Sequence, residues 1–295
     1  MRKADRQVNY LHSESGRNTD WRSYMKKIDS VRDMQMIELD ILLMFDQYCK
    51  EHGLKYALYG GTLLGAARHQ GFIPWDDDID LCMERPQYEK LIDTVREYPL
   101  PEKYRLYSAR DKGYAKPFIK IINTRTALAQ KENDICSGVW IDIFPIDGTP
   151  RSEFKCLSTI KRITFLHGLL QAAVSSPFDV RNRRNIIAKL ALFPIAKIMG
   201  SHRICKRMDA LAKKVPYENS KFVGNILWNR AGLTTRQYRD LFDGYTELPF
   251  EGHSLSVQNN YNAVLYSIYG NYMLMPPESD RNKHCVEAFV LDDDE

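Results

Sequence analysis

The stretch Gly60-Gly61-Thr62-Leu63-Leu64-Gly65-Ala66-Ala67-Arg68-His69-Gln70-Gly71-Phe72-Ile73-Pro74-Trp75-Asp76-Asp77-Asp78-Ile79-Asp80 decides how this chain is read. Its last five residues hold four acids, set between Phe72-Ile73-Pro74-Trp75 and Leu81-Cys82-Met83 rather than in a polar tail. The run Asp78 to Met83 predicts a strand, in which Asp78 and Asp80 share one face while Ile79 and Leu81 point to the core. Two ionised carboxylates that close repel each other. A divalent cation removes the conflict, and hard oxygen ligands suit Mg²⁺ (or Mn²⁺), which is held by one or two carboxylates plus substrate phosphates. An EF-hand fits only in part. Asp76, Asp78 and Asp80 match its first three ligand positions, but Leu81 stands where glycine is required and Gln87 where the bidentate Glu belongs.

On the upstream side, Lys55 to Tyr59 reads as a short strand that turns at Gly60-Gly61-Thr62 into a helix ending near Gly71. Glycines at such a turn let backbone N–H groups approach a phosphate, helped by the helix N-terminus. The turn is not a Walker loop, because no G-K-[ST] follows. Further upstream, Val31, Met34, Ile37, Ile41, Met44 and Tyr48 recur at helical spacing, with Ser30 and Asp33 as a cap and Gly53 as a stop. That apolar stripe is expected to be core.

On the downstream side, Pro86 suits the first turn of a helix carrying Tyr88, Leu91, Ile92 and Val95 on one face. Three strands are expected at Tyr104 to Ser108, Phe118 to Ile122 and Val139 to Phe144. Pro145 and Asp147-Gly148 are then read as a closing turn. Asp142 is a lone acid in the apolar run Val139 to Phe144, so it needs a partner. Two partners are open: a Lys or Arg in a salt bridge, or a metal shared with Asp78 and Asp80. Lys120, alternating toward a polar face in Phe118-Ile119-Lys120-Ile121, is either a phosphate contact or an ordinary exposed strand lysine.

These elements predict an α+β fold, a mixed sheet flanked by helices with a helical insertion in the second half. The expected parts are a polar segment over 1–30, a catalytic core over 31–150, a basic helical region over 151–215, and a part over 216–295 that completes the active site. The chain has 295 residues, a net charge of +4 and 44% hydrophobic residues, ordinary globular usage. From Arg151 to Lys214 there are fourteen Lys or Arg against three acids, a balance of +11, so the rest carries −7. Such asymmetry predicts an anionic partner on one face. Helices over 161–207 could meet it by lying on an anionic membrane surface, or could simply cover the active-site cleft. Nucleic-acid binding finds no helix-turn-helix, zinc or RRM signature. No C-x-x-C pair occurs among the six cysteines, no secretory signal opens the chain, and the expected compartment is the cytosol, at the inner membrane face if the basic helices bind lipid.

Taken together, Tyr59-Gly60-Gly61, Asp78-Ile79-Asp80-Leu81 and Ile141-Asp142-Ile143 resemble the signature of the nucleotidyltransferase superfamily, the polymerase-beta-like fold. The long run from Gly60 to Asp80, with Trp140 to Gly148, Leu248 to Gly252, Tyr269 to Met273 and Pro276 to His284, resembles the LicD family of phosphocholine and related transferases. The fukutin-related phosphoribitol transferases share the acidic run. Asn271 departs from the Asp usual in the family, and Glu84-Arg85-Pro86 from its Pro-Arg-Glu order. The resemblance implies Asp78, Asp80 and Asp142, assisted by Asp76, as catalytic metal ligands. It also implies Gly60, Gly61, Thr62, Arg68, Lys120 and His284 as substrate contacts. The implied donor is a CDP-alcohol and the implied acceptor a glycan or lipid-linked glycan. A nucleotidyltransferase moving NMP onto a sugar would show the same triad and is the competing enzyme reading.

Overall fold

A short strand, β1 (Met25–Lys27), leads into α1 (Val31–His52). Ser30 caps α1 by accepting the Asp33 N–H at 3.1 Å, and Gly53 ends it with φ +60°. The computed structural model describes residues 25–128, 136, 138–174, 186–228, 233, 236–278, 281 and 287–291. The first half continues with β2 (Ala57–Leu58), α2 (Gly60–His69), β3 (Asp80–Glu84), α3 (Arg85–Glu97), β4 (Tyr104–Tyr107), β5 (Ile119–Asn123), β6 (Thr126–Leu128) and β7 (Trp140–Thr149). Three helices follow: α4 (Glu153–Val174), α5 (Ile186–Met199) and α6 (Ser201–Ala212). The chain then returns to mixed structure through β8 (Phe222–Gly224), β9 (Gln237–Tyr238), β10 (Tyr245–Phe250), β11 (His253–Gln258), α7 (Tyr261–Tyr269) and β12 (Ala288–Leu291).

The main sheet has the order β2-β3-β7-β5-β4, with β8 on the far end of β7 and β9 beside β8. Only β3 and β7 run parallel. A hairpin of β10 and β11 and a three-stranded sheet β1-β12-β6 complete the β structure among the described residues. The architecture is therefore mixed α and β, as the alternation of strand and helix patterns predicts.

One core spans the first and last parts of the chain. Phe45 and Leu42 of α1, Leu63 of α2, and Ile79 and Ile141 pack with Phe250, Leu255, Val257 and Leu265. Each fully buried side chain of this kind contributes about 1.5–3 kcal/mol. The hairpin thus belongs to the same packed unit as the sheet. A second core lies within the helices, where Ile160, Ile163 and Leu166 of α4 meet Ile204, Cys205 and Met208 of α6. Arg85 ties this unit to the sheet. Its Nε and Nη2 donate to the two Asp147 oxygens at 2.6 and 2.8 Å, and Nη1 donates to Asp209 of α6 at 2.9 Å.

Two sequence expectations are corrected. Asp147-Gly148 is not a turn: β7 runs on to Thr149 and pairs with β8 there. Pro145, which has no N–H to donate, falls between the two antiparallel partners of β7, since β5 pairs only as far as Ile143 and β8 begins at Asp147. Gly148 serves close approach, because a Cβ there would stand 2.5 Å from the Val215 carbonyl oxygen and 2.2 Å from Ser220 Oγ. Strand β3 begins at Asp80, so Asp78 lies in the segment leading into it. The described cysteines, Cys49, Cys82, Cys136, Cys156 and Cys205, are all buried. No helix among the described residues is long and apolar enough to cross a membrane.

Candidate active site

Strand register builds the centre of the site. Asp80 on β3 is the lateral partner of Asp142 on β7, and Asp142 is the lateral partner of Lys120 on β5. Lateral partners project to the same face of a sheet, so two acids and a lysine form one row across three strands. Lys120 Nζ meets Asp142 Oδ1 at 2.9 Å and lies over the Trp140 ring, 3.7 Å from its centre. The salt-bridge reading of Asp142 is therefore realised, and the same row brings it beside Asp80.

Backbone bonds fix this row. The Asp80 N–H donates to Thr62 Oγ1 at 2.8 Å, and its carbonyl accepts from the Tyr59 N–H at 2.9 Å. The Asp142 N–H donates to the Ile79 carbonyl at 2.9 Å. Thr62 is buried, so its hydroxyl acts on the Asp80 backbone. The two glycines open space for carboxylates. A Cβ on Gly60, whose φ is +54°, would stand 3.1 Å from Asp80 Oδ2, and one on Gly61 would stand 2.6 Å from Asp76 Oδ2. The N-terminus of α2, with no side-chain cap on it, thus faces acids, which its partial positive charge favours.

The electrostatics are strained. Burial, then the charges of Asp78, Asp142 and Asp76, push the Asp80 carboxyl well above its ordinary range, with Lys120 opposing. Burial also raises Asp142, again against the pull of Lys120. Such mutual repulsion fits a hard divalent cation, since the donors are all carboxylate oxygens. Among the described residues, no three His, Cys, Asp or Glu side chains converge closely enough to enclose one. The donor chemistry fits the ion, while the rotamers described do not close around it. Asp78 and Asp76 would join Asp80 and Asp142 in holding it.

Sequence reasoning missed residues on α1. Glu38 is 2% exposed, its Oε2 has no hydrogen-bond partner, and burial followed by Asp78, Asp77, Asp76 and Asp142 raises its carboxyl well above the usual range. Gln35, one turn earlier, donates to the Asp76 carbonyl at 2.7 Å. The signal was two polar residues three apart within an apolar stripe. Tyr269, at the end of α7, also borders the site: burial and then Asp80, Asp76 and Asp78 raise its phenol.

Arg68 donates to the carbonyls of Tyr272 and Leu274 at 2.9 and 3.3 Å, holding the segment after α7 against α2. Arg281 lies over the Trp75 ring, 4.7 Å from its centre, next to the acidic turn. His284 lies outside the described residues.

Paired acids and a buried lysine at a glycine-opened helix start suit an enzyme that handles phosphate charge. Residues 53–167 match the family model described as LicD/FKTN/FKRP, nucleotidyltransferase domain. The chain is 32% identical over 273 residues to the lipopolysaccharide cholinephosphotransferase LicD of Haemophilus influenzae, an alignment covering 90% of this chain and 100% of that protein. A short segment of 29 residues, 10% of this chain and 6% of the relative, is 66% identical to the human ribitol 5-phosphate transferase FKRP. The chain belongs to the LicD family of phosphotransferases.

Proposed function

We propose that this enzyme moves phosphocholine from CDP-choline onto a hydroxyl of a cell-surface glycan or its lipid-linked precursor, on a sheet of the nucleotidyltransferase type. The lateral adjacency of Asp80 and Asp142 on parallel strands, with Lys120 in the same row, carries the reading. The full-length likeness to a lipopolysaccharide cholinephosphotransferase supports the cargo and the acceptor class.

In this reading the acceptor oxygen attacks the phosphorus that bears choline. A new P–O ester bond forms, the bond to the CMP oxygen breaks, and CMP leaves with that electron pair. A carboxylate of the set accepts the hydroxyl proton. Mg²⁺ or Mn²⁺, held by Asp78, Asp80 and Asp142 with Asp76 beside them, supplies charge neutralisation for the phosphates when bound. Thr62 and Gly60 keep Asp80 at the mouth of α2, and Gly61 leaves room for Asp76. Lys120 offsets the charge of Asp142 so that both acids can stand side by side.

The test is release of CMP from CDP-choline, CDP-ethanolamine, CDP-glycerol and CDP-ribitol, each with and without Mg²⁺ or Mn²⁺. Metal-dependent release from CDP-choline is expected. Release from CDP-ribitol alone would reassign the cargo, and turnover of a nucleoside triphosphate to pyrophosphate alone would replace the reaction.

A further inference from the structure

The geometry points to a membrane-docking face on α4 that seats the protein on an anionic bilayer. Phe154, Leu157, Ser158, Lys161, Arg162 and Phe165 recur at three- and four-residue spacing, so they form one stripe along the helix. With Leu211 of α6 they line an open groove of about 560 Å³. Phe154 is 82% exposed and Phe165 56% exposed, while the opposite side of α4 buries Ile160, Ile163 and Leu170. A helix apolar on two faces is expected to be covered on both. Among the described residues, every exposed Phe and Ile falls in this helical unit: these two and Ile195 and Ile198 of α5.

Charge selects the occupant. Lys161 and Arg162 sit between the two phenylalanines and are exposed. The only acid in α4 is Glu153, at its start. The surrounding segment, Arg151 to Lys214, carries the +11 balance of the chain. The phenylalanines are about 16 Å apart along the helix axis. Such a face lays aromatic rings into the acyl boundary while Lys and Arg reach phosphate headgroups. An uncharged apolar partner would leave those two cations unmatched. The inference does not depend on the cargo transferred.

The experiment is co-sedimentation of the full chain with vesicles of phosphatidylcholine alone or mixed with phosphatidylglycerol, at low and high salt. Two variants accompany it, Phe154→Ser with Phe165→Ser, and Lys161→Glu with Arg162→Glu, each checked for an unchanged melting temperature. Binding is expected only with phosphatidylglycerol, weakened by salt, and reduced roughly tenfold or more in either variant. Absence of wild-type binding would overturn the proposal, as would variants that bind as well as wild type. Self-association of the wild type in ultracentrifugation, lost in the phenylalanine variant and without vesicle binding, would assign the face to a second copy instead.

Discussion

Lys120 and Asp142 are lateral partners on β5 and β7, joined at 2.9 Å, and Lys120 is 7% exposed. Removing one member of such a pair strands the other in a poorly solvated place, at a cost of about 3–5 kcal/mol. Lys120→Met should therefore lower the urea unfolding midpoint and further raise the Asp142 carboxyl. Adding Asp142→Asn should recover most of the stability but none of the activity. If the double variant were as unstable as the single one, the pair would not be what Lys120 serves.

Asp78→Asn and Asp80→Asn should lower turnover by at least about 10²–10³, the scale of losing one group that stabilises transition-state charge. Relief of repulsion among the acids should leave the melting temperature in chelator unchanged or higher. Parallel CMP-release and melting experiments check both halves.

Gly61→Ala tests the packing of α2 on the acidic turn. The new methyl would stand 2.6 Å from Asp76 Oδ2, so the carboxylate must move. Activity should fall more than stability, with a higher metal concentration needed for half-maximal rate. A metal titration of turnover reads this directly.

Glu251 closes the β10–β11 hairpin onto α1, its Oε2 accepting from Arg32 at 2.6 Å and its Oε1 from the Phe72 N–H at 3.0 Å. The Arg32 bond holds this carboxyl below its usual range against the opposing effect of burial, and the Phe72 bond adds to the lowering. A depressed folded pKa means the stabilisation is complete above the unfolded value of about 4.3 and is lost as pH falls through the folded value. Glu251→Gln should be less stable at neutral pH, and its difference from wild type should shrink as pH falls below about 4. Melting curves of both proteins across that range decide it, and a constant difference would refute it.

Arg85→Met should destabilise the protein by about 3–5 kcal/mol, because it leaves the buried Asp147 carboxylate without its guanidinium. Hydrogen exchange should rise first in α6, which loses the bond from Arg85 to Asp209. Uniform acceleration across the sheet, with α6 unchanged, would remove Arg85 from that coupling role.

Much of the site was legible because a strand alternates. Asp142 and Asp80 stood out as charges in apolar runs, and register then brought them together. Glu38 and Gln35 were hidden because a long amphipathic helix tolerates polar residues on its margins, and only packing reveals which margin faces an acidic turn. The stretch from Pro145 to Gly148 reads locally as a turn. What overrides that reading is distant: Arg85 neutralises Asp147, and Val215, Pro216 and Ser220 press on Gly148. Arg85, the residue shared by the Glu84-Arg85-Pro86 run and the family's Pro-Arg-Glu order, is part of that same ion pair.

Met25 of β1 and Leu291 of β12 are register partners, and β12 also pairs with β6. During synthesis, the strand lying between β1 and β6 therefore emerges long after both of them. Until then β1 has no ladder, and Met34 and Val139 lack the Ala288 contact that completes their cluster. This sheet closes late, and a stalled or prematurely released chain would present two unpaired strand edges to the quality-control machinery.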